Sequence, residues 1–160
     1  MSYTGVRSDI FAVFRGREYL GSPVFTEDDT VMIGASDTAN PDPSLFAWNE
    51  GWGAWTARIP AADCDRLYSA HSYAKYQGHR VNIMRIDDSG IARVYYSDEN
   101  GAWAEANGFE QVNKYEFEKS VPAAELYDVY ELQDDLLFFR WREANFARPQ
   151  EVRPAGRRLR

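Results

Sequence analysis

The chain has 160 residues, 44% of them hydrophobic and 15% aromatic, which is enough apolar material for a core and excludes wholesale disorder. The net charge of −7 hides an asymmetry: residues 148–160 hold five arginines and one acid (net +4), and the other 147 residues hold 13 basic and 24 acidic side chains (net −11). An acidic body repels phosphate backbones, which argues against nucleic acid as the partner, and no apolar run approaches the roughly 20 residues of a membrane-spanning helix.

From the N-terminus, residues 1–10 lack the basic-then-apolar pattern of a signal peptide, and the one cysteine, Cys64, cannot form an internal disulfide. Both features predict a cytoplasmic protein. The first predicted strand is 10–14, followed by a turn at Arg15-Gly16, a strand over 18–25, a polar loop at 27–29 and a strand over 31–35. Two prolines make 40–44 a loop, and a fourth strand is predicted over 55–59. The same series then returns: strands at 73–76, 80–86 and 91–96, with the hairpin signal Asp87-Asp88-Ser89-Gly90 between the last two, and a strand at 117–121. Short helices are predicted at 103–107 and 122–127.

The return is an internal repeat. Residues 59–68 (IPAADCDRLY) match 121–130 (VPAAELYDVY) at four identical and three conservative positions, at an offset of 62. Residues 11–16 (FAVFRG) match 73–78 (YAKYQG) at the same offset, and Ser36-Asp37 matches Ser97-Asp98 at 61. A partial third copy is read at 134–143 (DDLLFFRWRE), identical to 9–18 (DIFAVFRGRE) at five of ten positions. This predicts a mainly β protein of two duplicated units of about 62 residues, 6–68 and 69–130, with short 3₁₀ or helical turns. An extra closing strand is expected within 131–147, then a basic tail over 148–160.

The strand run ending in an apolar residue, Pro-Ala-Ala-acid and a last strand resembles SH3-like small barrels. Residues 76–81 (YQGHRV), the turn at 87–90 and residues 94–98 (VYYSD) resemble the hairpin of Tudor-like domains. The resemblance implies two SH3-like barrel units, and it implies peptide or modified-side-chain binding as one function.

Motifs for chemistry are sparse. His71 and His79 with one cysteine make a poor zinc set, so no metal, cofactor or catalytic residue is expected. Cys64 has Leu126 as its counterpart, which reads as packing. Glycine-rich phosphate loops and a Gly-x-Ser-x-Gly elbow are missing from the sequence. The unusual features are Trp48, Trp52 and Trp55 in eight residues, acidic loops, and the rings of Tyr95, Tyr96, Trp103 and Phe109, which offer a cation cage if they converge. The expected partner-binding residues are Trp48, Trp52, Asp87, Asp88, Tyr96, Asp98, Glu99 and Trp103. By general type the chain resembles the acidic, aromatic-rich immunity proteins that bacteria pair with toxins. It is read as a non-catalytic protein that captures a basic toxin domain. A tandem SH3/Tudor-like reader and an unrecognised enzyme are the alternatives.

Overall fold

A computed structural model describes residues 6–22 and 28–146. The architecture is mainly β: one large open antiparallel sheet carrying two short helices. Alternating apolar positions produce β1 (Asp9–Phe14), β2 (Arg17–Gly21) and β3 (Thr30–Ala35), then β4 (Ala47–Asn49) and β5 (Ala54–Pro60). A 3₁₀ turn (Ala61–Asp63) leads into the long β6 (Arg66–Tyr76). There follow β7 (His79–Ile86), β8 (Ile91–Tyr96), α1 (Gly101–Ala106), β9 (Glu110–Asn113) and β10 (Glu116–Pro122). A second 3₁₀ turn (Ala123–Glu125), β11 (Tyr127–Asp135) and α2 (Leu136–Asn145) complete the described chain.

The strand order is β4-β5-β3-β2-β1-β6-β7-β8-β10-β9, with β11 on β6. Along one edge of β6, residues 66–70 pair with β1 and residues 72–76 pair with β7. Along the other edge β11 spans both stretches, from Tyr68 to Lys75. The 62-residue offset of the sequence recurs in the backbone. Arg15 and Gly16 have φ of 50° and 77°, and Gln77 and Gly78 have 49° and 81°, so both hairpins use two left-handed residues. The Ala61 amide donates to the Asp29 carbonyl at 2.8 Å, and the Ala123 amide donates to the Gly90 carbonyl at 2.8 Å.

Two hydrophobic cores result. The first gathers Phe14, Val31, Ile33, Phe46, Ile59 and Leu67; the second gathers Tyr76, Val81, Ile83, Val94, Phe109 and Val121. Within β6, Leu67 faces the first core, whereas Ala74 and Tyr76 face the second. Odd and even residues of a strand point to opposite faces, so the two cores lie on opposite faces of β6. The boundaries expected at 68/69 and 130/131 therefore fall inside continuous strands, β6 and β11.

The partial third copy is not a strand over 136–139. Asp134 and Asp135 finish β11, and the Asp135 carboxylate caps α2 by accepting from the Phe138 amide at 2.9 Å. Two causes are visible. Leu136 and Leu137 pack against the first core from a helical turn. Trp141 also stands where β1's turn has Gly16, and a tryptophan resists the positive φ that this turn needs. The predicted strand over 18–25 ends at Gly21, and residues 23–27 lie outside the described residues, as does the basic tail.

Candidate functional site

A cavity of about 490 Å³ lies at the β8–α1 end of the second half. Tyr96, the last residue of β8, forms one wall, and Asp98 and Glu99 follow it in the loop. Asn100 then caps α1, its side-chain oxygen accepting from the Trp103 amide at 3.0 Å. The cap sets the rotation of the helix, and Gly101, Ala102 and Glu105 line the cavity. Gly101 allows the approach: a Cβ there would meet Phe117 Cε2 at 3.1 Å. The opposite wall comes from the β9–β10 hairpin, with Gln111, Lys114, Tyr115 and Phe117.

Three carboxylates thus share one rim with one ammonium. Asp98 is partly committed, since its Oδ2 accepts from the Arg80 amide at 2.7 Å and lies 3.7 Å from His79 Nδ1. Glu99 and Glu105 are exposed. Such a rim suits a cation, above all the head of an arginine or lysine carried on an apolar stem.

Behind this wall the aromatic residues do converge, but on one another. The His79 ring stacks on Trp103 at 3.7 Å, and Trp103, Tyr96, Phe109 and Tyr76 continue the cluster at 5.6–6.0 Å between centroids. Burial pushes the Tyr96 phenol's pKa up, and its oxygen accepts from the Asn100 amide and sits 3.1 Å from His79 Nδ1. The cluster already holds a cation: Lys119 Nζ lies 5.0 Å from the Tyr76 ring and donates to the Tyr76 hydroxyl and the Asn107 carbonyl, both at 2.9 Å. Tyr95, next to Tyr96 on β8, points to the other face by alternation.

The structure brings together three of the eight sequence-predicted residues, Tyr96, Asp98 and Glu99, with Trp103 packed behind them. Asp87 and Asp88 sit at the far end of β8. Asp87 is a turn residue whose Oδ1 accepts from the Ser89 hydroxyl and the Ser89 and Ile91 amides, which holds its carboxyl below the usual range. Asp88 is exposed beside it. Trp48 and Trp52 belong to the opposite end of the strand order. Trp48 packs edge-on against Trp55 at 5.3 Å, and Trp52 lies over Gly34, where a Cβ would meet its ring at 2.8 Å. Glu105, Gln111, Lys114, Tyr115 and Phe117 were not singled out by sequence. The spacing of Ala102 and Glu105 on a capped helix was the one available signal. Among the described residues no group of three His, Cys, Asp or Glu is placed to hold a metal ion, and no helix is long and apolar enough to cross a membrane.

A family model described as "Uncharacterised conserved protein UCP033725" matches residues 6–135, so the chain belongs to that family. Neither a curated protein nor a solved structure matches the chain.

Proposed function

We propose that this member of the UCP033725 family is a non-catalytic binding protein that captures a basic protein partner, in the manner of an immunity protein that holds a toxin domain. The observation that carries this reading is the carboxylate rim of Asp98, Glu99 and Glu105 on the aromatic-walled cavity of about 490 Å³. A lysine or arginine from the partner enters the cavity, its stem against Tyr96 and Phe117 and its head among the carboxylates. The acidic body steers the encounter. We read each half as SH3-like: strands, a Pro-initiated 3₁₀ turn and a last strand returning to the first, with β6 serving as the last strand of one half and the first of the other. The recurring turns and hydrogen bonds support this. The protein acts in the cytoplasm on this reading, needs no cofactor and has no catalytic residue.

The test is an affinity capture from the source cells with the full chain and with the double variant Glu99→Lys/Glu105→Lys. Both side chains are exposed, so thermal stability stays within about 0.5 kcal/mol of the parent. One dominant basic protein is recovered by the parent and lost by the variant. Equal recovery by both, or a partner that is not basic, overturns the proposal.

A further inference from the structure

The strand order ends in short strands, β4 of three residues and β9 of four. β11 is different. It is nine residues long and pairs with β6 alone among the described residues, so its outer edge has no strand beside it there. Eight of its nine residues are exposed, Val129, Tyr130 and Leu132 among them. A bare edge of this length invites a further strand unless its charge forbids one.

The backbone groups on that edge follow from the pairing. The β6–β7 hairpin closes on Tyr76 and His79 around two left-handed residues, so Ser72, Ala74 and Tyr76 bond to β7. Their neighbours His71 and Tyr73 bond to the other side, where they face Leu132 and Tyr130. Glu131 and Gln133 therefore turn their amides and carbonyls outward. The strand is already fixed: Tyr130 stacks on Tyr73 at 5.6 Å between centroids, and Arg7 holds the Glu131 carboxylate at 2.8 Å. Pairing with a fixed strand costs little ordering on this side.

Charge selects the occupant. β11 carries Asp128, Glu131, Asp134 and Asp135 and no basic residue. A second copy pairing edge to edge would set two such strands side by side, and like charges across a strand pair are destabilising. The strand that β11 accepts on its inner edge, β6, has Arg66 and Lys75 and no acid. Arg66 donates to Gln133, and Lys75 Nζ lies 3.8 Å from Asp128. We infer that the outer edge of β11 takes up an extended basic segment of a protein partner as an added strand. The segment's backbone pairs with Glu131 and Gln133, and its lysines or arginines lie beside the acids. For the partner's basic character this rests on the capture reading above, but the edge is a contact apart from the cavity.

The probe is a short, capped, fluorescent peptide of alternating lysine and valine, titrated against the full chain by anisotropy. Binding is expected, weakened by salt. It falls about tenfold or more when the peptide is N-methylated at its two central residues, one for each edge, a change that leaves the protein untouched. Gln133→Pro removes an outward amide and no bond to β6, and it weakens binding by a similar factor of about ten. A far-ultraviolet circular dichroism melt checks that this variant is folded, and the methylated peptide decides the matter if it is not. Asp128→Asn/Asp134→Asn weakens binding about fivefold. Glu99→Lys/Glu105→Lys, which empties the cavity of its role, leaves the peptide bound. Four results overturn the proposal: no binding at millimolar peptide, equal binding of the methylated peptide, binding lost in Glu99→Lys/Glu105→Lys but kept in Gln133→Pro, or a dimer of the chain in sedimentation that Gln133→Pro dissolves.

Discussion

The two halves of the sheet follow the same strand path but fill it differently. At an offset of 61, the first half's buried Ala35 corresponds to Tyr96, and its Gly34, covered by Trp52, corresponds to Tyr95. At an offset of 62, buried Ala57 corresponds to Lys119, and Cys64, whose thiol is pushed up by burial, corresponds to Leu126. The first half is completed by small residues and a tryptophan loop folded over the outside. The second is completed by a polar aromatic cluster around Lys119, with α1 closing over it. The second half sets Asp98, Glu99 and Glu105 on one cavity, at the end of the strand where the first half has small buried residues.

The largest expected effect tests how far the halves are independent. Ile33 and Val94 are equivalent and fully buried. Ile33→Ala lowers stability by about 2–5 kcal/mol, and Val94→Ala by less because fewer methyl groups are lost. With β6 shared, both variants lower a single calorimetric transition. A melt that splits into two steps would show instead that each half unfolds alone.

Gly34→Ala comes next, at about 1–3 kcal/mol, since the new Cβ must displace the Trp52 ring. In the background Trp52→Ala the same change becomes nearly neutral, as the tyrosine at the equivalent place in the second half suggests. A double-mutant cycle from chemical denaturation measures the coupling, and purely additive values would show that Trp52 does not enforce the glycine.

Lys119→Ala makes the second half like the first at this position. It removes a cation from the rings and leaves the Asn107 carbonyl without its side-chain donor, while the Tyr76 hydroxyl keeps only the Gln77 amide at 3.1 Å, for a loss of about 1–2 kcal/mol. Stability unchanged in urea titrations would mean that the ammonium contributes nothing to the cluster.

The smallest effect concerns the junction between the halves. Arg7 reaches Glu18 at 2.8 Å in the first half and Glu131 at 2.8 Å on β11, and it holds the Glu131 carboxyl below its usual range. A carboxyl lowered in the folded state adds stability above its unfolded pKa and loses it as the pH falls. The contribution, about 1 kcal/mol or less, therefore disappears from about pH 5 downward. Glu131→Gln flattens that acid limb of stability against pH, and a limb identical to the parent's would assign it to other carboxylates.

Much of the local structure was legible in the chain because its causes are local. Alternation predicted most strands within a residue or two. Arg15-Gly16 and Gln77-Gly78 announced the hairpins, and the two Pro-Ala-Ala segments announced the 3₁₀ turns. Of the candidate site, Tyr96, Asp98 and Glu99 were legible as rings and acids crowded at a strand end. Asp87 is held by hydrogen bonds within its own turn, a role that looks the same in sequence as an acid waiting for a ligand. Tertiary contacts decided the rest. A β1-like stretch became α2 because its leucines dock on a core assembled from residues 12–67. The cavity exists because β8, α1 and the β9–β10 hairpin meet there. That β6 serves both halves, with a core on each face, follows from strand pairings as far apart in sequence as Tyr68 and Asp135, which no local pattern encodes.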